Sequence, residues 1–248
     1  MQNDVVLPRL NDEQKAQVLK QWQENQHNNH EIEVDLSGQG DGLSDFSVYK
    51  GVWNPAISSA RYHASYLYYN NVRLFDGKIA IDMGTGTGLM GVVMALHGAQ
   101  KVILTDISAA AVTNARENIA KFQLQEKTVV VQGDLFENIN ERAHIIIFNQ
   151  PFFGDTPLPN DTIAASMLDS GDLIKRFLKQ APDYLDALGK IVMPFYSKAG
   201  PTNNPVIQGP KYGFHVKTMF KTIAQNRRNH DPRVDCLALI YRLCDLVA

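Results

Sequence analysis

Residues 79–91 read Ile-Ala-Ile-Asp-Met-Gly-Thr-Gly-Thr-Gly-Leu-Met-Gly, a short apolar run that meets an acid and then passes through glycines at 84, 86, 88 and 91. Alternating glycines remove every Cβ from one side of a turn, so the chain can reverse sharply and leave main-chain N–H groups clear at the start of a helix. A strand that feeds such a turn, with a helix packing back on it, is the repeating unit of a parallel sheet.

The downstream pattern supplies the rest of that sheet. Residues 78–83, 101–106, 128–132 and 144–149 are apolar runs of strand length, and the first two gaps between them are long enough for crossover helices. Residues 172–188 are patterned as an amphipathic helix and 189–195 as a fifth strand. Two more strand-like stretches, 213–223 and 233–243, are separated by a polar turn too short for a helix, which implies an antiparallel end. The expected architecture is α/β, a doubly wound, mostly parallel seven-stranded sheet.

Ahead of it, residues 11–27 are good helix formers with Asn11 or Asp12 as cap, and few are apolar, which predicts a surface helix. Residues 31–36 alternate like a half-buried strand, 37–42 are a glycine-rich turn, and 46–53 are the expected partner strand. Residues 1–55 are therefore read as a small α+β extension and 56–248 as the main domain. Pro55 can open a helix over 56–71, with Tyr62, Tyr66, Leu67 and Tyr69 as a packed aromatic stripe.

Lys and Arg total 24 against 26 acids, a net charge of −2 that gives no global footprint for nucleic acid. The densest basic region, Lys217, Lys221, Arg227, Arg228 and Arg233, suits a grip on RNA phosphates or a solvated hairpin tip equally well. Cys236 and Cys244 make neither a disulfide framework nor a zinc site and are expected to be free thiols. His27 and His30 have no acid or cysteine at ligand spacing, so no metal is expected. The polar N-terminus and the lack of a long apolar run predict no signal peptide, no membrane contact and a cytoplasmic protein.

The glycine turn by itself leaves two cofactors open. Gly86-Thr-Gly88-Leu-Met-Gly91 satisfies the dinucleotide fingerprint, with Asp106 ending the next strand where a ribose-binding acid belongs. The fuller pattern Asp82-x-Gly84-x-Gly86-x-Gly88 resembles the first motif of the class I S-adenosylmethionine-dependent methyltransferases. That resemblance implies S-adenosylmethionine as cofactor. Asp82, Gly84, Thr85, Gly86 and Gly88 would shape the turn round its methionine half, Asp106 would hold the ribose, Asp134 with Leu135 would read the adenine, and Ile107 would be a further cofactor contact. An Asp at 134 is also an ordinary turn or helix cap.

Residues 145–153, Ile-Ile-Ile-Phe-Asn-Gln-Pro-Phe-Phe, end the expected fourth strand on the side where open α/β sheets bind ligands. Asn149-Gln150-Pro151-Phe152 looks like the N-P-P-Y or D-P-P-Y motif of amino-group methyltransferases, which act on adenine and cytosine amines or on glutamine amides. An amine on a conjugated planar group has a delocalised lone pair, which must be localised toward the methyl group without a strong base. The Asn149 side-chain carbonyl and the main-chain carbonyl at 150 can accept its two N–H bonds, while the Phe152 ring stacks on the planar target. Gln150 stands in place of the first proline, keeping the main-chain carbonyl and losing the fixed φ. Phe152 keeps the π face of tyrosine and loses its hydroxyl. Asn-x-Pro can also simply end a strand.

The resemblance covers roughly residues 50–245, and 102–108 and 111–118 also read as the second strand and helix of this family. Trp53, Arg61 and Tyr62, just ahead of the turn, are candidate substrate contacts, with packing as the plainer role. The expected function is methyl transfer from S-adenosylmethionine to an amide or aromatic amine nitrogen of a protein, RNA or small-molecule acceptor. The alternatives are a non-catalytic scaffold that keeps the cofactor pocket and an NAD(P)-dependent oxidoreductase.

Overall fold

The computed structural model describes residues 7–36, 42–57, 60, 63–64, 67–68, 74–220, 223–224, 234–235 and 238–243, with residues from 218 onward described by backbone alone. The first helix, α1 (Asp12–Glu24), starts where Asn11 accepts the Gln14 N–H at 2.9 Å and the Gln14 side chain reaches back to the Asn11 N–H at 3.0 Å. This reciprocal capping box satisfies two helix-end donors at once. Strands β1 (His30–Asp35) and β2 (Gly42–Val48) pair antiparallel. The partner strand thus begins earlier and ends earlier than residues 46–53, because Tyr49–Val52 closes into a turn with Gly51 at φ 76°.

Five parallel strands follow: β3 (Ile79–Met83), β4 (Lys101–Asp106), β5 (Thr128–Gln132), β6 (Ala143–Phe148) and β7 (Leu185–Met193). They lie in the order β5-β4-β3-β6-β7, and the sheet is completed by β8 (Phe214–Phe220) and β11 (Ala238–Leu243), with β11 antiparallel to both β7 and β8. Two short strands between these, β9 (Ile223–Ala224) and β10 (Val234–Asp235), pair only with each other. The expectations for Lys221, Arg227, Arg228, Arg233, Cys236 and Cys244 fall outside the described residues, and Lys217 is exposed.

The helices are α2 (Leu89–Leu96), α3 (Ala109–Lys121), α4 (Thr162–Met167), α5 (Asp172–Gln180) and α6 (Pro205–Gln208). The helix expected over 172–188 stops at Gln180 and the fifth strand starts at Leu185 rather than 189. Pro182 lacks the N–H needed to continue the helix, and Ala181–Tyr184 tightens into a 3-10 turn that delivers Leu185 to the sheet.

Strand residues alternate between two apolar layers. Ala80, Val102, Leu104, Ile145 and Ile147 face one layer; Ile81, Met83, Ile103, Ile146 and Phe148 face the other, where Phe177 and Leu178 of α5 cover them. Burial on both faces explains why these strands read as continuous apolar runs. The N-terminal segments share this core: Val34, Leu36, Leu43 and Phe46 of the hairpin region join the first layer, while Leu7, Leu10 and Val18 pack with Phe153, Ile163 and Phe195.

Two fully buried amides bind the hairpin to α3. Asn118 accepts the Ser47 N–H at 2.8 Å and donates to the Ser47 carbonyl at 2.9 Å, and Asn114 donates to that same carbonyl and accepts the Tyr49 N–H, each at 2.8 Å. Spaced one helical turn apart, they read the free edge of β2 as a neighbouring strand would. Asn118 also donates to the Thr87 carbonyl inside the glycine turn at 2.8 Å. Asn118→Ala is therefore expected to cost about 2–3 kcal/mol, since buried backbone groups lose their partners. A urea midpoint equal to that of the wild type would refute this.

Candidate active site

The strand order reverses at β3, whose neighbours β4 and β6 lead away in opposite directions. A crevice at the carboxyl ends of these strands is where an open α/β sheet receives a ligand. Here a cavity of about 250 Å³ lies against the glycine turn after β3, Asp106 at the end of β4 and Asn149 just beyond β6.

The turn is set by three left-handed glycines, Gly84, Gly86 and Gly88, at φ 62°, 55° and 85°. A side chain at Gly86 would meet nothing closer than Val52 at 4.0 Å, so that position is a cradle left open on the cavity side. Gly88 has a different neighbour: a Cβ there would press on Ala115 of α3. Gly91 serves packing too, since a Cβ would collide with Leu104 on β4. The third glycine of the dinucleotide fingerprint is thus accounted for by contact between helix and sheet, whatever the ligand.

Two carboxyls brace this turn. Asp82 is buried, and one of its oxygens, Oδ2, takes the Thr85 hydroxyl at 2.5 Å and the Gly91 N–H at 2.9 Å. Burial pushes its pKa up to about 7 against the pull of those two donors. Asp106 accepts the Gly86 N–H on Oδ2 and the Ser108 N–H on Oδ1, both at 2.9 Å, and its pKa is likewise raised by burial. Each Asp106 oxygen keeps acceptor capacity for a hydroxyl in the cavity.

Asn149, Gln150, Pro151 and Phe152 line the same cavity, together with Asp82, Gly84, Thr85, Gly86, Asp106 and Ile107. The Asn149 Oδ1 and Gln150 Oε1 atoms are buried and have no hydrogen-bond partner among the described residues. Phe152 packs edge-on against Phe195, with ring centres 5.8 Å apart. Gly88, Asp134 and Leu135 are not among the lining residues. Asp134 holds an ion pair with Arg176 of α5 at 2.6 Å, and Leu135 is buried in the second apolar layer at φ 53°.

The N-terminal part of the chain provides the facing wall through Gln21, Gly51, Val52, Trp53, Pro55 and Ala60. From α4 come Thr162, Ala165, Ser166 and Met167. These two walls are tied: the Trp22 indole donates to Asp161 at 2.7 Å, and the Thr162 hydroxyl to the Gly51 carbonyl at 2.8 Å. Of the candidate substrate contacts, Trp53 lines the cavity, whereas Arg61 and Tyr62 lie outside the described residues, as do Tyr66 and Tyr69 of the expected stripe. Sequence reasoning missed Gln21 and α4. Gln21 sits in a helix with a surface pattern and carries no signal; for α4 the Asp161 cap, which accepts the Ala164 N–H at 2.8 Å, was a usable start signal.

Among the described residues, Asp82 and Asp106 are the ionisable side chains of the lining. Among the described residues no three His, Cys, Asp or Glu side chains gather as a metal group, and no helix is long and apolar enough to cross a membrane.

Fold and cavity together define an open α/β protein built to bind a nucleotide-like cofactor at its strand-order reversal. The model of the methyltransferase small domain family matches residues 62–207, and the chain belongs to that family. It is 41% identical over 73 residues to the ribosomal protein L11 methyltransferase of Carboxydothermus hydrogenoformans, covering 29% of this chain and 24% of that protein. It is 33% identical over 125 residues to the ribosomal protein uL3 glutamine methyltransferase of Bordetella pertussis, covering 46% of this chain and 42% of the relative. The chain thus spans less than half the length of either. Among solved structures, the 16S rRNA N2 methyltransferase of T. thermophilus, in complex with AdoMet and guanosine, superposes with a TM-score of 0.61 over 88% of this chain and 51% of that one. At 15% identity that likeness is one of fold alone.

Proposed function

We propose that this protein transfers a methyl group from S-adenosylmethionine to the nitrogen of an amide or aromatic amine on a macromolecular acceptor. The observation that carries the proposal is the Asn149 carbonyl, buried without a hydrogen-bond partner among the described residues on the wall of the cavity that holds the glycine turn. An unpartnered buried acceptor costs about 1–3 kcal/mol, a cost recovered when a ligand N–H reaches it.

The residues present fit the cofactor. Gly86 leaves the open cradle, Asp106 has free lone pairs for ribose hydroxyls, and Ile107 is exposed at the rim. Asp134 and Leu135 are proposed for the adenine end, with the Arg176 pair fixing the Asp134 carboxylate. S-adenosylmethionine would supply a methyl group already activated on a sulfonium, so the protein's task is proximity and alignment. Asn149 and the Gln150 main-chain carbonyl would accept the two N–H bonds of the incoming amine, and Phe152 would hold its planar group. Among the described residues the lining carries no ionisable side chain besides Asp82 and Asp106, which suits a neutral amide or base.

A macromolecular acceptor is supported by relatives whose names specify ribosomal proteins, and a cytoplasmic setting accords with such substrates. Calorimetric titration is expected to show binding of S-adenosylmethionine and none of NAD(P)H. Labelled methyl groups are expected to enter material of cell extract that either protease or nuclease removes. Tight NAD(P)H binding without S-adenosylmethionine binding refutes the proposal.

A further inference from the structure

Gln150 departs from the proline that the resembling motif carries, and its side chain has an arrangement that a proline cannot reproduce. The residue is 2% exposed. Its Nε2 donates to the Asn203 carbonyl at 3.0 Å, which fixes which end of the amide is nitrogen. Asn203 is itself immobilised, with its Nδ2 donating to the Asp169 carbonyl at 2.8 Å and the Phe153 carbonyl at 3.2 Å. The preceding carbonyl, on Thr202, is held by Gln208 at 2.8 Å. The other end of the Gln150 amide, Oε1, is buried and has no partner among the described residues, although the residue lines the cavity.

Resting on the proposed methyl transfer, we infer that Gln150 is a specificity-determining residue whose nitrogen is anchored on Asn203 and whose Oε1 accepts a hydrogen bond from the methyl acceptor. The two neighbouring side chains then offer two carbonyl oxygens, Asn149 Oδ1 and Gln150 Oε1, in addition to the main-chain carbonyl at 150. Three acceptors side by side favour a primary amine or amide rich in N–H over a hydroxyl or a substituted nitrogen. The anchor also restores the stiffness that the proline ring would have given the segment, since the carbonyl of Phe153, three residues on, accepts from the same Asn203 side chain.

The test compares wild type, Gln150→Pro, Gln150→Met and Gln150→Glu. Each is assayed for S-adenosylmethionine affinity and for labelled methyl transfer at graded concentrations of extract from cells lacking the gene. Gln150→Pro, which keeps a stiff segment and the main-chain carbonyl, is expected to bind cofactor as wild type does while kcat/KM for the extract falls about 10-fold, the scale of one hydrogen bond. Gln150→Met removes anchor and oxygen together and is expected to fall further. Gln150→Glu is expected to regain kcat/KM as pH falls, because a protonated carboxyl again donates to the Asn203 carbonyl and turns its carbonyl oxygen to the acceptor; a defect of structure alone would show in S-adenosylmethionine affinity as well, which is expected to stay at the wild-type value at every pH. Wild-type kcat/KM in both Gln150→Pro and Gln150→Met overturns the inference and leaves the proposed function standing. A wild-type protein that binds no S-adenosylmethionine and transfers no label overturns both.

Discussion

Asn149→Ala is expected to lower methyl transfer by about 100-fold or more while leaving S-adenosylmethionine affinity unchanged, the scale seen when one group that orients or stabilises a reacting centre is removed. The proposed mechanism places this side chain against the methyl acceptor, and the contacts that brace the glycine turn run through Asp82 and Asp106 instead. Stability should hold or rise slightly. The Asn149 Oδ1 has no partner among the described residues, so truncation leaves no donor stranded and relieves the burial of an unpaired carbonyl. A site that is strained without its ligand is the usual origin of such an exchange between activity and stability. Asn149→Asp keeps an acceptor in place and should retain more transfer than alanine. Initial rates of label incorporation, calorimetry and a thermal melt read all three quantities, and alanine transferring at the wild-type rate would remove Asn149 from the mechanism.

The parts of this protein that could be read ahead of its structure are those governed by local periodicity. The parallel strands announced themselves because residues such as Ile145, Ile146 and Ile147 are buried on both faces, and the turn because Gly84, Gly86 and Gly88 all take positive φ. Polar contacts between distant segments have no period to reveal them. Nothing in the spacing of Asn114 and Asn118 says that they grip Ser47, nor does the expected surface helix say that Gln21 reaches a cavity wall. Asp134 shows the same limit from the other side. Its place after β5 was legible, while the Arg176 that claims its carboxylate is 42 residues away on a helix face. Gln150 looked like a defect in a motif, and only the Asn203 carbonyl, 53 residues on, gives it a partner.

Asp82→Asn is expected to gain stability over the wild type as pH rises from about 4 to about 7, by up to about 4 kcal/mol. Burial takes the Asp82 carboxyl from an ordinary 3.8 to about 7, so the folded state holds a proton that the unfolded state has already released, and the stability this provides is lost as pH rises through that range. Both hydrogen bonds to Asp82 arrive at one oxygen, Oδ2, so an asparagine with its carbonyl there keeps the Thr85 and Gly91 contacts and carries no charge to desolvate. His63 works in the opposite direction. It is buried without a partner for either ring nitrogen among the described residues, and burial takes it from 6.5 down to about 4, a difference of about 3 kcal/mol in favour of the fold above pH 6.5 that disappears as pH falls. The two slopes oppose each other over nearly the same window, so these two contributions largely cancel in the wild type. Each variant should uncover the other group: Asp82→Asn becomes steadily more stable from pH 4 to 6.5, and His63→Leu steadily less stable from pH 4 to 7. Urea midpoints across pH 4–8 read both, and an Asp82→Asn profile parallel to the wild type would mean that Asp82 is ionised in the fold. An ionised Asp82 would be free to face a cationic ligand directly, whereas a protonated one is a neutral brace that shapes the turn through Thr85 and Gly91.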